Sequence, residues 1–169
     1  GAIYTWWSES DEWPTGGKWT CYGLDWGFTH DPTALIEVIY NGGKLWVKEL
    51  IYETGLTNTD IAAKCGLERH DEIIADSAEP RLIADLKHLG VNIKAVKKGT
   101  IESGITRMQD YEIIVSPEST NIAKELNNYV YADKGSKLYV DNYNHAIDGI
   151  RYNVIYHLDN PNAGRYFVQ

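Results

Sequence analysis

The sequence predicts an α/β fold in which a mixed central sheet is flanked by helices. Three β-type runs follow one another early in the chain and indicate an antiparallel meander. The rest of the chain alternates short apolar runs with helical patterns, which is typical of parallel crossovers. The length of 169 residues fits one domain of ordinary size. We predict that residues 19–158 form this domain.

The meander is predicted from residues 19–26, 33–40 and 44–52. Asn41 to Gly43 joins the second and third runs and signals a hairpin, because these residues accept positive φ at low cost. Residues 57–67 then show helical spacing after possible capping residues. We expect this helix to carry the chain across the sheet.

Strand-type runs and helical patterns alternate over the rest of the domain. Pro80 at a first helical position and Gly90 after the last one bound one of these helices. Because strands and helices alternate, we expect the strands to run parallel. The predicted strands are residues 72–76, 91–96 and 113–115, and the predicted helices are residues 80–89, 101–109, 117–129 and 144–158.

Two segments lie outside the predicted domain. Residues 1–18 are aromatic, acidic and turn-rich, and we predict a lead-in or linker whose tryptophans cap the core of the domain. A surface that contacts an upstream domain is the alternative. Residues 159–169 are predicted to be a C-terminal tail, frayed or docked.

Composition excludes several classes of protein. The hydrophobic fraction of 43% and the charged fraction of 24% are typical of soluble globular proteins. No membrane span and no secretory signal are found, so we expect a cytoplasmic protein. Cys21 and Cys65 form no CxxC pair and are read as reduced thiols. The net charge of −8 argues against tight nucleic-acid binding by this domain alone.

Three carboxylates stand where the predicted elements would direct them to one site. Asp25 and Asp76 end apolar runs and would lie at strand tips, the edge at which open α/β sheets bind ligands. Asp148 lies on the last helix, with His145 three residues earlier on the same face. Gathered acids repel one another in a cleft, and oxygen ligands favour Mg²⁺ or Mn²⁺. A surface ion pair between Asp148 and Arg151 is the structural alternative.

The strand-tip acids have structural alternatives too. Asp25 could simply end a strand before a turn. Its neighbours Gly23 and Gly27 favour a site, since glycine in a strand commonly marks the close approach of another backbone, here that of a substrate. Asp76 could cap the following helix, although Ser77 and Glu79 stand nearer to its start. Two ion sites about 3.5 to 4 Å apart would suit phosphodiester cleavage, by activating water and stabilising the departing oxygen.

At these residues the chain resembles the nuclease domain at the carboxyl end of the large terminase subunit of tailed bacteriophages, which is ribonuclease H-like. The resemblance covers about residues 19–157. It implies a metal-dependent DNA endonuclease that cuts concatemeric viral DNA during genome packaging. The matching segments, in order, are GLDWGFTHDPTALI, IIADSAEPRLIADLK, VKKG followed by IESGITRM, ELNNYVYA and NHAIDGIRY.

The resemblance also implies an active site and a metal cofactor. The cofactor would be two Mg²⁺ or Mn²⁺ ions. Asp141 and Glu79 are weaker candidates, for the outer shell of the metal site. Asp31 is predicted to be a turn residue, with direct metal contact as the lesser alternative. The catalytic and metal-binding set is Asp25, Asp76, Asp148 and His145.

The implied partners are double-stranded DNA, a packaging ATPase domain, the small terminase subunit and the portal protein, in the cytoplasm of a host bacterium. Basic residues would contact DNA phosphates without reading bases, or would be ordinary solvated side chains. The DNA-contacting candidates are Lys97, Lys98, Arg107, Lys134 and Lys137.

Gly16 to Lys18 lacks the first glycine of a phosphate loop, so we predict no ATPase motif in this chain, which looks like an excised domain. Other ribonuclease H-like nucleases share the acid geometry and stay open: a junction resolvase, a transposase or a nuclease that cuts RNA/DNA hybrids. Outside the enzymes, a catalytically silent DNA-packaging assembly module is the alternative.

Overall fold

The computed structural model describes residues 3–68, 70–129 and 144–159. Within these ranges, seven strands form one mixed sheet that five helices flank, so the predicted α/β fold is confirmed. The strands are β1 (Trp7–Glu9), β2 (Trp19–Asp25), β3 (Thr33–Asn41), β4 (Lys44–Glu53), β5 (Ile73–Asp76), β6 (Ile93–Val96) and β7 (Glu112–Val115). The helices are α1 (Asn58–Lys64), α2 (Pro80–His88), α3 (Ile101–Gln109), α4 (Thr120–Asn128) and α5 (His145–Asp159).

The strand order in the sheet is β1-β7-β4-β3-β2-β5-β6. β2, β3 and β4 form the predicted antiparallel meander. β5 and β6 extend the sheet in parallel beside β2, and β7 pairs in parallel with β4. Because β2 and β5 are parallel neighbours, their carboxyl ends meet at one edge of the sheet.

Local signals in the sequence explain the hairpin and the first helix. Gly42 and Gly43 adopt φ of +63° and +78° between β3 and β4, values that favour glycine. The Thr57 hydroxyl accepts from the backbone N–H of Asp60, whose carboxylate accepts in return from the backbone N–H of Thr57. This capping box begins α1 at the predicted place.

The described part of residues 1–18 packs on the rest of the domain. Residues 7–9 form β1, which pairs in parallel with β7 at the edge of the sheet. Ile3 and Tyr4 are buried in the core, and Trp13 packs edge-on against Trp46. This segment therefore adds a strand and core residues, while the domain boundary at residue 19 stays a prediction.

Alternation along the strands divides the core between two faces of the sheet. Ile36 of β3 packs with residues of α3, α4 and α5. Its neighbour Leu35 packs with residues of α1 and α2 on the opposite face. No helix in the described ranges is long and apolar enough to cross a membrane.

A contact between two glycines brings α5 close to β2. A side chain at Gly23 would collide with the backbone carbonyl of Gly149 on α5. The interpretation of Gly23 as a place for a substrate backbone is therefore wrong, because the backbone that approaches it belongs to α5. Gly27 also lies against the chain itself, at the carbonyl groups of Asp31 and Pro32.

Candidate active site

A polar cleft of about 320 Å³ opens at the carboxyl edge of β2 and β5. Asp25 is the last residue of β2 and Asp76 the last residue of β5. α5 begins at His145 and carries Asp148 in its first turn. All four residues line the cleft, and the Gly23 contact explains how α5 comes close enough to contribute two of them.

Asp25 receives two side-chain contacts from α5. The Tyr152 hydroxyl donates to Asp25 Oδ1 at 3.2 Å, and His145 Nδ1 lies 3.4 Å from Asp25 Oδ2. The hydrogen bond to Asp25 is the main reason why the pKa of His145 is raised, and burial opposes it. Tyr152 is buried, and its role at Asp25 was not predicted from the sequence.

Asp31 also faces His145. Its backbone N–H donates to the carbonyl of Phe28 at 3.0 Å, which closes the expected turn. Its carboxylate lines the cleft, with Oδ1 3.6 Å from His145 Nε2. The imidazole therefore lies between the carboxylates of Asp25 and Asp31. The sequence signal for this was the short spacing between Asp25 at the end of β2 and Asp31 in the segment that follows it.

Asp76 has partners on both carboxylate oxygens. Oδ1 accepts from the backbone N–H of Ala78 at 3.0 Å, and Oδ2 lies 3.3 Å from Lys98 Nζ. Asp76 does not cap α2, because Glu79 holds the capping position, without a capping hydrogen bond from its side chain. Glu79 lines the cleft as well.

Asp148 pairs with Arg151 at 3.3 Å, but not on the surface. The side chains are only 19% and 4% exposed, so the surface-pair alternative is wrong. Burial raises the pKa of the Asp148 carboxyl to about 7, and the Asp25 carboxylate adds to the rise while Arg151 opposes it. The charged form of Asp148 is therefore incompletely compensated in this arrangement.

The family model for the terminase RNase H-like domain matches residues 25–155. The chain belongs to this family. The matched range includes all four residues around which the cleft is built.

Solved structures of terminase nucleases are similar to this terminase domain. The SPP1 large terminase nuclease domain with bound Mn has a TM-score of 0.77 and 26% identity, over 94% of this chain and 99% of that one. The P22 large terminase nuclease domain has a TM-score of 0.77 at 14% identity, over 94% and 93%. The large terminase nuclease of thermophilic phage G20c with bound magnesium has a TM-score of 0.62 and 20% identity, over 86% of this chain and 83% of that one. No curated protein sequence matches the chain.

The predicted DNA-contacting residues of this terminase domain have different positions. Lys98 lines the cleft beside Asp76, and Lys97 is exposed next to it. Arg107 lies on α3 and does not line the cleft. Lys134, Lys137 and Asp141 fall outside the described residues.

Across residues 3–68, 70–129 and 144–159, no three Asp, Glu, His or Cys side chains stand close enough together to share one ion as they are arranged. Three of the cleft acids instead contact cationic or hydrogen-bond-donating side chains of the protein. These groups are Lys98 at Asp76, Arg151 at Asp148, and Tyr152 and His145 at Asp25.

Proposed function

We propose that this terminase domain is a metal-dependent endonuclease that cuts concatemeric double-stranded viral DNA during genome packaging. The observation that carries the proposal is one polar cleft lined by Asp25, Asp76, His145 and Asp148, which come from three separate elements. The similarity to the SPP1 terminase nuclease domain with bound Mn, over almost the whole of both chains, supports it.

The residues of the cleft fit a hard divalent cation. Carboxylate oxygens with one imidazole are ligands that suit Mg²⁺ or Mn²⁺. The raised pKa of Asp148 marks a buried carboxyl whose charge a cation would compensate. We propose that Asp25, Asp76 and Asp148 hold two such ions, with His145 as a further ligand or neighbour. Bound there, the ions would supply Lewis-acid stabilisation of the charge that develops in phosphodiester hydrolysis.

The protein's own side chains would orient the site and the substrate. Tyr152 and His145 both contact Asp25, so they fix the direction of its carboxylate. Lys98 is half exposed, and its ammonium could exchange Asp76 for a DNA phosphate when substrate enters. Contacts of this kind position a DNA backbone and carry no sequence information, so we expect cutting with little sequence preference.

Packaging would bring further partners, which we propose from the family. They are the ATPase domain of the large subunit, the small terminase subunit and the portal protein, all in the cytoplasm of the host bacterium. The acidic surface of this domain supports a role for such partners, because something else must hold the DNA close to the cleft.

Calorimetric titration with Mn²⁺ and plasmid cleavage test the proposal. We expect the wild-type domain to bind Mn²⁺ and cut plasmid DNA, and Asp25→Asn and Asp148→Asn to lose cleavage and part or all of the Mn²⁺ binding. Asp11→Asn changes an exposed acid that does not line the cleft and should behave as wild type. No Mn²⁺ binding by the wild type, or unchanged binding in both cleft variants, would contradict the metal assignment.

A comparison of substrates separates this function from other ribonuclease H-like activities. Plasmid duplex, a four-way junction and an RNA/DNA hybrid would be offered at equal concentration with Mn²⁺. We expect the duplex to be cut at least as fast as the other two. A strong preference for the junction or for the hybrid would favour a resolvase or a hybrid nuclease instead.

A further inference from the structure

Glu125 of α4 is a buried carboxylate that the cleft does not include. It is 1% exposed, and three donors surround it. Oε2 accepts from the Tyr52 hydroxyl at 2.6 Å and from the backbone N–H of Ala146 at 3.0 Å. Oε1 accepts from the backbone N–H of Ile147 at 3.0 Å. A buried carboxylate is costly unless it is well bonded, and this one has partners on both oxygens.

The two backbone donors belong to the first turn of α5. The first N–H groups of a helix have no partner within the helix, and the helix dipole is positive there. Glu125 compensates both features from a neighbouring helix. Ala146 and Ile147 lie between His145 and Asp148, so the carboxylate holds the segment of backbone from which both cleft side chains project.

Glu125 is itself hydrogen-bonded to a residue of the central sheet. Tyr52 lies in β4, and its hydroxyl contacts the same oxygen of Glu125 that accepts from Ala146. The N-terminus of α5 is thus tied through Glu125 to α4 and through Tyr52 to the sheet that carries Asp25.

We propose that Glu125 is a positioning residue of the nuclease site, whose carboxylate fixes the first turn of α5 so that His145 and Asp148 face Asp25 and Asp76 before DNA binds. This inference rests on the proposed function. Glu125 touches no reacting group and acts through the two α5 residues.

Glu125→Gln tests the inference, because the amide keeps the size of the side chain but places an N–H₂ against one of the backbone N–H groups. We expect a folded variant whose Mn²⁺ dissociation constant rises by about tenfold to hundredfold, as for other residues that orient metal ligands. The value of kcat for plasmid cleavage should fall while KM for DNA stays unchanged. In the metal-free protein, the amides of Ala146 and Ile147 should exchange hydrogen faster, with later turns of α5 unaffected.

Asp60→Asn is the control. The Asp60 carboxylate accepts from the backbone N–H of Thr57 at the start of α1, a helix that carries neither a cleft residue nor Glu125 and packs on the other face of the sheet from α4. This variant should lower the unfolding temperature without changing the Mn²⁺ dissociation constant. Tyr52→Phe removes one bond to Glu125 and should weaken Mn²⁺ binding in the same direction, by less. If Glu125→Gln does not fold, Tyr52→Phe tests the inference in its place, and unchanged Mn²⁺ affinity in this variant would overturn it.

Wild-type Mn²⁺ affinity and kcat in folded Glu125→Gln would overturn the inference. Equal losses of Mn²⁺ affinity in Glu125→Gln and Asp60→Asn would also overturn it, because the effect would then be a general loss of stability. Failure of the proposed function looks different, since the wild-type domain would itself neither bind Mn²⁺ nor cut DNA.

Discussion

His157, in the last turns of α5, lies flat against the indole of Trp19, with ring centroids 4.0 Å apart and planes 8° from parallel. Its Nε2 is buried and has no hydrogen-bond partner in the described part of the chain. Burial lowers the pKa of this imidazole from 6.5 to about 4. In the unfolded chain the imidazole therefore binds a proton at higher pH than in the native state.

This difference predicts how stability depends on pH. The contribution of His157 is complete above pH 6.5 and is lost as the pH falls towards about 4. The upper limit of the loss is about 3 kcal/mol in the free energy of unfolding. In His157→Phe, which keeps a stacked ring without a titrating group, urea denaturation across this window should show a correspondingly smaller dependence on pH.

His88→Phe serves as the control, because His88 is exposed and stacks on no ring in the described structure. It should retain the pH dependence of the wild type. If wild type and His157→Phe lose the same amount of stability over this window, the pKa of His157 does not differ between the native and unfolded states as we infer.

Single residues differ in how far the sequence could predict their place. Asp25, Asp76 and the His145–Asp148 pair could be located because strand tips and helical spacing are local patterns. Tyr152 could not, since its hydroxyl meets a carboxylate 127 residues away. Glu125 was missed because a glutamate on an amphipathic helix is ordinarily a surface residue.

Among the elements, α5 lies in close backbone contact with β2. A Cβ at Gly23 of β2 would meet the carbonyl of Gly149, which is backbone and cannot rotate away. We expect Gly23→Ala to displace α5 from β2 and to reduce the free energy of unfolding by about 1–3 kcal/mol, as for other overpacked sites. Because α5 carries His145 and Asp148, Mn²⁺ affinity should fall as well.

Gly16→Ala is the matched substitution, since a Cβ at Gly16 would meet no atom within 4 Å. Urea denaturation and Mn²⁺ calorimetry on both variants make the measurement. Gly16→Ala should be close to wild type in both. If Gly23→Ala had the stability and Mn²⁺ affinity of Gly16→Ala, the gap between β2 and α5 would be wider than the structure shows.

The elements of the domain could be predicted well one at a time, but their arrangement could not. The meander followed from the hairpin signal at Asn41 to Gly43. β1 was missed because Trp7 to Glu9 is three residues long and shows no sustained alternation. Nor does any local pattern indicate that β7 lies between β1 and β4, a position set by long-range packing.

The whole molecule carries a net charge of −8, which opposes DNA binding over most of its surface. We expect the domain to bind short duplexes with a dissociation constant weaker than about micromolar at physiological salt, and more weakly still as salt rises. Fluorescence anisotropy with Asp25→Asn, in a buffer without divalent ions, measures this without cleavage. Submicromolar binding at physiological salt would contradict the expectation. Lys97→Ala and Lys98→Ala each remove one candidate phosphate contact and serve as the comparison.

Weak binding by an acidic domain also predicts that cleavage is limited by delivery of the DNA. Fusion through a flexible linker to a DNA-binding module without sequence preference would raise the local DNA concentration to about the millimolar range. The cleavage rate at low plasmid concentration should then rise strongly, while kcat at saturating plasmid stays as it is in the isolated domain. The same module added unlinked is the control and should not accelerate cleavage. Equal rates for fusion and unlinked mixture would show that a step within the cleft limits cutting, and that the acidic surface has little part in restraining it.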